Sequence, residues 1–460
     1  MNSQEAWLQE QENITKLEKE QPELIECKKK RAESDIFQEI GIWNMPANRP
    51  EGYLRRFYSD FIVEEKTQEN TVIRVNEIIK GLKNEKTAEA NLLTANLIKI
   101  GITTNIAVER LIKAFGLKGN IGYAGLKDEE AITAQQITFP KIKLPIEEIE
   151  NTKILNILLT NFYYGSKSLR PGYLEGNEFT IAVRTKEKIN EQRLLVKLET
   201  LEKFGFLNYF QSQRFGGIRL DSHQIGKLIM QGRYELAVRY LLFKTNEYEM
   251  SLIAQLKKQA EKLYPEYSEI IKIFEKLPYS FFQELTVLKY LENNLADYVG
   301  ALLEIKDSIT ICIYAYSSLL FNKYLSLYSK EKGCTDESFP LLLSDDPRDH
   351  KIYQKFLMED KTENFLANLR PLRHIYFKPR QLATRIFIKN IKYKLFDGGV
   401  IINFFLPKGA YATTFLSNIF ELHEGAPIPE WVSDNEIDVK EMLGQGSLKE
   451  LKTIFKNSWK

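Results

Sequence analysis

The sequence predicts an α+β protein in which one domain is interrupted by a second, helix-rich domain. Segments rich in β-branched residues begin near residue 51, helical patterns dominate from about 217 to 380, and apolar strands return from about 381. A β-rich start and finish around a helical middle is typical of a domain split by an insertion. We therefore expect an N-terminal helical extension at 1–50, the first part of the split domain at 51–216, the inserted domain at 217–380 and the second part at 381–460.

The composition is that of a folded globular protein of two or three domains. The 460 residues are 43% hydrophobic, 12% aromatic and 27% charged, which excludes a chain that is disordered throughout. The 64 Lys and Arg residues nearly balance the 62 Asp and Glu residues, so the formal net charge is +2. Binding to nucleic acid would therefore depend on local basic patches rather than on the charge of the whole chain.

The cysteines and the N-terminus predict a cytoplasmic protein that does not associate with membranes. Cys27, Cys312 and Cys334 are far apart and form no C-x-x-C pair, which excludes a disulfide framework and a zinc knuckle. The N-terminus is acidic and polar, whereas an export signal is basic and then apolar. The longest apolar stretch, at 309–321, contains polar residues and is too short to cross a bilayer.

Local patterns place the first elements. Residues 1 to about 40 predict an exposed helical extension, whose basic cluster at 28–31 either contacts the phosphates of a nucleic acid or is a solvated helix face. Residues 60–65 and 71–75 are alternating or β-branched and predict strands. Asn105 has the character of an N-cap, and the apolar residues that follow at helical spacing end at Gly116.

The later elements follow from the same rules. The pattern predicts a strand at 121–124, a turn at 125–131, strands at 132–139, 154–159 and 179–183, and a helix at 191–204. In the helical middle it predicts helices at 228–243, 250–263, 280–291 and 311–327. Strands at 386–388 and 400–406 and a helix at 411–420 complete the chain.

Three segments carry residues that could perform chemistry. Segment 122–128 places two glycines beside a Lys-Asp pair, segment 208–217 crowds aromatic rings, amides and an arginine, and segment 406–414 leaves a strand through a Pro-Lys-Gly turn. Aromatic faces beside an arginine and amides suit an unstacked nucleobase. Each segment also has a structural interpretation, because Asp128 could cap a turn, Phe210 could be a core residue and the third segment could be helix capping.

Other sites of chemistry are not supported by the sequence. The acidic loop at 345–350 has metal-ligand residue types without metal-ligand spacing, so we expect a solvated loop and no metal site. His223, His374 and His423 have no neighbouring Cys or His. The chain has no Ser/His/Asp signature, phosphate loop or dinucleotide fingerprint.

Five motifs, through their order and spacing, resemble the TruD-type tRNA pseudouridine synthases. They are DFIVEE (60–65), GYAGLKDEEAITAQ (122–135), LRPGYLEGNEF (169–179), NYFQSQRFG (208–216) and LPKGAYAT (406–413). The likeness covers nearly everything after residue 50, and AYSSLLFN (315–322) is similar to a helix of that family's inserted domain. The resemblance implies a pseudouridine-synthase catalytic core, a mixed and mainly antiparallel sheet with flanking helices, at 51–216 and 381–460. It implies that the insertion is the TRUD domain.

The resemblance also implies an activity and the residues that perform it. It implies an isomerase without a cofactor that converts a uridine of tRNA, typically at position 13 of the D arm, to pseudouridine. Asp128 matches the catalytic carboxylate, Phe210 the base-stacking aromatic residue and Asn208 the amide that helps to hold the aspartate or the base. The implied substrate-binding residues are Arg55, Tyr123, Lys127, Gln135, Arg170, Arg214 and Lys408. We expect tRNA as the partner of a monomeric protein.

Departures from the family's pattern leave a second function open. The family usually has basic residues directly after its Lys-Asp pair, whereas this chain has Glu129 and Glu130, which would repel phosphate. Arg55 stands where the family commonly has a lysine, which keeps the charge and changes the geometry. The alternative is an RNA-binding or RNA-folding protein of the same fold with weak or no catalysis.

Overall fold

The protein forms two compact units along an interrupted chain. The structure is a computed structural model that describes residues 3–459 except 28, 142–143, 334–335, 343–345, 374 and 376–378. The helical unit comprises Met1–Met45 and Leu207–Arg385, and the β-rich unit comprises Pro46–Phe206 and Ile386–Lys460. Residues named above that lie outside the described part are Lys28 of the basic cluster, Cys334, Asp345 of the acidic loop and His374.

Within the described residues, the β-rich unit is built on a ten-stranded mixed sheet. With helices and strands numbered along the whole chain, its strands are β1 (Glu51–Tyr53), β2 (Phe61–Lys66), β3 (Leu92–Ile100), β4 (Gly122–Tyr123), β5 (Ile132–Thr138), β6 (Ile157–Gly165), β7 (Gly176–Thr185), β12 (Lys389–Phe396), β13 (Gly399–Pro407) and β14 (Glu421–His423). The main path runs β12-β13-β7-β2-β5-β3-β6. β2 pairs with β5 in parallel, as β1 does with β14, and the other pairs are antiparallel.

Helices cover both faces of this sheet. They are α4 (Thr104–Phe115), α5 (Ile146–Asn151), α6 (Glu191–Phe204), α16 (Ala412–Ser417), α17 (Val439–Met442) and α18 (Lys449–Ile454). Because side chains alternate along a strand, Phe61 and Val63 of β2 join the core that includes residues of α6 and α16, whereas Ile62 joins the core that includes residues of α17 and α18. The sheet is therefore buried on both faces.

The helical unit consists mainly of α-helices with one small sheet. Its helices are α1 (Ser3–Glu20), α2 (Pro22–Ile25), α3 (Glu33–Glu39), α7 (Ser222–Met230), α8 (Tyr234–Phe243), α9 (Ser251–Glu261), α10 (Tyr267–Phe274), α11 (Phe282–Asn293), α12 (Tyr298–Glu304), α13 (Lys306–Lys332), α14 (Pro347–Glu359) and α15 (Phe365–Leu369). β9 (Ser338–Leu341) pairs antiparallel with β10 (Arg380–Ala383). Short strands β8 (Phe206–Leu207) and β11 (Arg385–Ile386) contain two of the points where the chain passes between units. Gly226 permits close packing of α7 on α13, because an added Cβ would lie 2.0 Å from the Cys312 carbonyl oxygen.

The architecture confirms the predicted α+β class and the mixed, mainly antiparallel sheet, whereas several elements differ from their predicted positions. The N-cap of α4 is Thr103 and not Asn105, because the Thr103 side chain accepts a hydrogen bond from the Ile106 N–H. Residues 71–75 form a single bridge, from Val72 to Lys66, instead of a strand. The helix predicted at 228–243 is two helices separated at Gly232, whose φ is +75°.

The unit boundaries decide which motifs share a unit. The chain passes between the units at 45/46, 206/207 and 385/386, whereas the sequence suggested boundaries at 50/51, 216/217 and 380/381. Asn208, Phe210 and Arg214 consequently belong to the helical unit, and the remaining site residues belong to the β-rich unit. The identification of the two units with a catalytic and an inserted domain stays a prediction.

Candidate active site

Asp128 lies in the turn that joins β4 to β5 in the β-rich unit. Its side chain is 24% exposed, and its Oδ1 lies 3.6 Å from Nη2 of Arg55. The Arg55 side chain is only 5% exposed, pairs also with Glu424, and stacks over Phe61 at 4.1 Å from the ring centroid. The Asp128 carboxylate is therefore open to solvent on one side and faces a buried guanidinium on the other.

The backbone and the charge of Arg55 fit a built site. Arg55 has a φ of +59°, a left-handed conformation that costs energy for a residue other than glycine and often marks functional positions. Burial disfavours its charge, but the carboxylates of Glu424 and Asp128 outweigh burial and raise the pKa of the guanidinium. Arg55 therefore stays charged beside Asp128.

Lys127, predicted to contact substrate, anchors the turn from within. Its Nζ lies 2.8 Å from Oε2 of Glu65 and donates to Oδ1 of Asn177 at 2.7 Å, with side-chain exposures of 2% for Lys127 and 1% for Glu65. Its backbone N–H donates to the Thr104 hydroxyl at 3.0 Å. The described contacts therefore hold the residue before Asp128 to β2, β7 and the start of α4.

Gln135 supports the same turn. It is fully buried on β5, donates from Nε2 to the Gly125 carbonyl at 3.0 Å, and accepts at Oε1 from the Thr104 hydroxyl at 3.1 Å. Tyr123 is half-buried, with its hydroxyl 3.4 Å from the Asn105 side chain. The substrate contacts predicted for Lys127, Gln135 and Tyr123 stay predictions, and the bonds of Lys127 and Gln135 are those of supporting residues.

Lys99, which the sequence analysis did not select, lies beneath Asp128. It is fully buried on β3, and its Nζ donates to the Asp128 carbonyl at 2.6 Å and to the Ile102 carbonyl at 2.7 Å. Burial lowers the pKa of Lys99 to about 7. The only sequence signal was a lysine inside an otherwise apolar run, LLTANLIKI, and that run itself was not predicted as a strand.

Two further predicted residues lie on two loops beside this turn, Arg170 between β6 and β7 and Lys408 after β13. Arg170 and Lys408 are both exposed, and Nζ of Lys408 donates to the Gly172 carbonyl at 2.9 Å. The Gly172 N–H in turn donates to the Ala124 carbonyl at 2.7 Å. Hydrogen bonds thus bring together the motifs at 122–135, 169–179 and 406–413.

The remaining predicted residues pack within the helical unit. Asn208 donates from Nδ2 to the Ala383 carbonyl at 2.9 Å. Phe210 is 6% exposed, its ring centroid lies 5.6 Å from that of Phe321, and the Arg214 guanidinium lies 5.1 Å from the ring centroid. Asn322 fixes the Phe210 backbone by one hydrogen bond in each direction, both of 2.9 Å.

A cavity of about 750 Å³ is present beside Arg55 in the β-rich unit. Its lining is aromatic and charged and includes Arg55, Arg56, Tyr58, Glu130, Lys456 and Trp459. Proteins that bind single-stranded nucleic acid use aromatic rings to stack on the bases and cations to contact the phosphates. The cavity offers rings and cations together with the carboxylates of Glu130 and Glu436, and Asp128 is not among its lining residues.

Comparison with known proteins places this site in a family. A family model described as tRNA pseudouridine synthase D (TruD) matches residues 41–340. The chain belongs to the TruD family. The matched residues contain Asp128, Asn208 and Phe210, whereas Lys408 lies beyond the match.

Individual TruD relatives cover most of the chain. "Probable tRNA pseudouridine synthase D 2" of Methanocaldococcus jannaschii is 30% identical over 411 residues, which are 80% of this chain and 91% of that protein. The tRNA pseudouridine synthase D of Helicobacter pylori strain P12 is 30% identical over 342 residues, 70% of this chain and 84% of that protein. A crystal structure of a candidate TruD protein from Methanosarcina mazei has a TM-score of 0.59 and 22% identity, over 84% of this chain and 98% of that chain. This last likeness supports the fold.

The described residues show neither a membrane-spanning helix nor a metal-binding group. Over the described part of the chain, no helix combines the length and the apolar character needed to cross a membrane. The described residues also contain no group of three His, Cys, Asp or Glu side chains able to hold a metal ion. In the acidic loop, Asp346 instead caps α14 by accepting from the Arg348 N–H.

Proposed function

We propose that this TruD protein is a tRNA pseudouridine synthase, an isomerase that uses Asp128 as its catalytic carboxylate. The observation that carries the proposal is the partly exposed Asp128 carboxylate facing the buried Arg55 guanidinium on the family's own motif. By resemblance, the target is the uridine at position 13 of the D arm. Isomerisation changes no oxidation state, so we expect no cofactor, and we expect the protein to act as a cytoplasmic monomer.

The chemistry explains why one carboxylate is central. The N1–C1′ bond of uridine breaks, the base turns, and a C5–C1′ bond forms, while the proton at C5 leaves to solvent and N1 gains one. Asp128 supplies the negative charge beside the sugar, and the Arg55 guanidinium lies 3.6 Å from its Oδ1. Whether Asp128 adds to the sugar, adds to the base or removes a sugar proton stays open.

We propose further that the β-rich unit is the catalytic domain and the helical unit the TRUD domain. Lys99, Glu65 and Gln135, which anchor the turn that holds Asp128, are residues of the β-rich unit, and this supports the first assignment. In this proposal Phe210 stacks on the extruded base, and Asn208 holds the aspartate or the base. Extruding a stacked uridine costs a few kcal/mol, which stacking on a ring offsets.

The test is release of tritium from C5-labelled uridine in unmodified tRNA transcripts. Asp128→Asn removes the charge with little change of shape, and Asp397→Asn is the matched control, because Asp397 is an exposed acid between β12 and β13 of the same unit. We expect release by the wild type and by Asp397→Asn and none by Asp128→Asn. Release by Asp128→Asn at the wild-type rate would overturn the role of Asp128.

Site mapping tests the finer assignment. A transcript in which uridine 13 is replaced by cytidine should lose the release, and continued release would contradict the D-arm target. The exposed carboxylates of Glu129 and Glu130 support the alternative, an RNA-binding or RNA-folding protein with weak or no catalysis. Binding of tRNA without any release by the wild type would favour that alternative.

A further inference from the structure

Lys99 is a buried lysine that, in the described residues, has no carboxylate oxygen within 4 Å of its Nζ, although the carboxylates of Asp128 and Glu129 lie close enough to favour its charge. Three other lysines with nearly buried side chains each have a carboxylate oxygen within 4 Å: Lys127 with Glu65, Lys257 with Glu249 and Lys440 with Glu64. The Lys99 ammonium instead donates to two backbone carbonyls, at 2.6 and 2.7 Å. A charged group without a counter-ion is costly in the core, so its presence on a central strand calls for a use other than stability.

The two carbonyls that Lys99 joins belong to different segments. One is that of Asp128, in the turn between β4 and β5, and the other is that of Ile102, in the connection from β3 to α4. The Asp128 carbonyl is therefore held from inside the unit, while the Asp128 side chain meets Arg55. Holding the carbonyl of a residue, together with the peptide that precedes it, restricts the direction of its Cα–Cβ bond.

A second tie runs between the same two segments. The Lys127 N–H donates to the Thr104 hydroxyl at 3.0 Å, and Thr104 begins the helix that follows Ile102. Lys99 and Thr104 thus hold the two peptides on either side of the Lys127–Asp128 peptide against one connection. Short hydrogen bonds from a charged donor are about twice as strong as neutral ones, so Lys99 makes the stronger tie.

We propose that Lys99 is a positioning residue, whose ammonium group holds the backbone of the catalytic Asp128 in its reactive orientation. The inference rests on the proposed function, because it needs Asp128 to be the catalytic carboxylate. Lys99 does not touch the substrate in this proposal and acts through Asp128. Removing it should therefore lower kcat while leaving the affinity for tRNA unchanged.

The test compares Lys99→Met with Lys440→Met. Both changes remove a fully buried lysine from the β-rich unit, and Lys440 pairs with Glu64, which keeps a second partner in Arg74. For Lys99→Met we expect a loss of kcat on the order of 100-fold, which is the effect of a misplacement of about 1 Å, with unchanged tRNA affinity. Lys440→Met should have the kcat of the wild type when both are assayed below the melting temperature of the variant. Equal kcat in Lys99→Met and the wild type would overturn the proposal.

The pH profile gives a readout that a purely structural lysine would not move. The charges that face Lys99 are the carboxylates of Asp128 and Glu129, which favour its proton, and the ammonium of Lys127, which opposes it. Because the pKa of Lys99 is about 7, the single-turnover rate of the wild type should fall several-fold as pH rises through that value. The step should be absent in Lys99→Met, and the same step in both proteins would contradict the inference.

Hydrogen exchange separates this inference from the proposed function. We expect faster exchange of the amides at 124–131 in Lys99→Met than in Lys440→Met or the wild type, whether or not the protein isomerises uridine. If Lys99→Met is too unstable to purify, Lys99→Gln takes its place. Unchanged protection of the turn would overturn the tie, whereas an inactive wild type would overturn the proposed function alone.

Discussion

The ion pair of Lys127 and Glu65 gives a quantitative test of how the turn that carries Asp128 is anchored. Glu65→Leu removes the carboxylate and leaves the Lys127 ammonium buried. The 2.8 Å separation corresponds to an attraction of about 6 kcal/mol at an effective dielectric constant of about 20. Breaking a buried pair costs about 3–5 kcal/mol after desolvation is included. Since Asn177 still accepts from Lys127, we expect a loss near the lower end, about 3 kcal/mol.

A double-mutant cycle measures the coupling directly. Glu65→Leu, Lys127→Met and the double variant are unfolded in urea and followed by tryptophan fluorescence. The double variant should be more stable than the sum of the single losses predicts, by about 2 kcal/mol or more, because neither charge is then left alone. Losses that add to within about 0.5 kcal/mol would refute the anchoring role of the pair.

The same variants decide between anchoring and substrate contact for Lys127. If Lys127 anchors the turn, Lys127→Met lowers the free energy of unfolding and kcat and leaves the salt dependence of tRNA binding unchanged. If it contacts a phosphate, the slope of log affinity against log salt decreases by roughly 1. If Lys127→Met reduces the salt slope of tRNA binding and leaves the free energy of unfolding unchanged, Lys127 is a substrate-binding residue, as the sequence predicts.

Four further outcomes are expected. The pKa of Lys99 in the folded protein is about 7, so between that pH and about 10.4 the unfolded chain binds a proton that the native state lacks. The free energy of unfolding should therefore rise with pH over this range, by up to about 1.4 kcal/mol per pH unit. Urea unfolding at several pH values should show a smaller rise for Lys99→Met. Gly122→Ala should lower the free energy of unfolding by about 1–3 kcal/mol, because the added Cβ would lie 2.7 Å from the Leu169 carbonyl oxygen. Gly125→Ala is the control, since the nearest atom to its added Cβ is 3.8 Å away, and it should not change the melting temperature. Lys408→Gln should reduce the salt slope of tRNA binding by roughly 1, and an unchanged slope in filter binding would remove it from the phosphate contacts. Phe210→Ala should slow single turnover by about 1–3 kcal/mol of lost stacking, and equal rates for folded variant and wild type would argue against Phe210 as the stacking ring.

The fold could be predicted where local patterns and tertiary packing agree. The helix at Glu191–Phe204 begins after an N-cap whose side chain accepts from the Arg193 N–H, and its bounds match the predicted ones. β3 could not be predicted, because Asn96 and Lys99 interrupt its apolar run, and the acceptors that accommodate Lys99 in the core, the carbonyls of Ile102 and Asp128, lie outside the strand. Residues 71–75 have strand-forming side chains, but Val75 N–H donates to the Glu64 side chain instead of a neighbouring strand.

The candidate site shows a similar limit. The motif around Asp128 could be found from order and spacing, but the sequence does not say which polar residues face the substrate and which face inward. Lys127 and Gln135 are side chains that a motif marks and that the structure buries. Lys99 is 29 residues from Asp128 in sequence, and its local signal, a lysine in a largely apolar run, does not point to Asp128, since only the register of β3 beside β5 brings it under the turn.

The side chains of Lys99, Lys127 and Gln135 are buried, so a polar residue in or near such a motif can support the site without facing the substrate. At this turn, the partly exposed Asp128 carboxylate faces Arg55. Lys99, Lys127 and Gln135 instead form their hydrogen bonds and ion pair with other groups of the protein. If these residues do not touch the substrate, their loss should act through the orientation of Asp128 and appear in kcat. Contacts with tRNA should instead fall on exposed cations such as Arg170 and Lys408, whose loss should appear in affinity and its dependence on salt. A kinetic separation of the two groups would show that the turn is a preorganised support for one carboxylate.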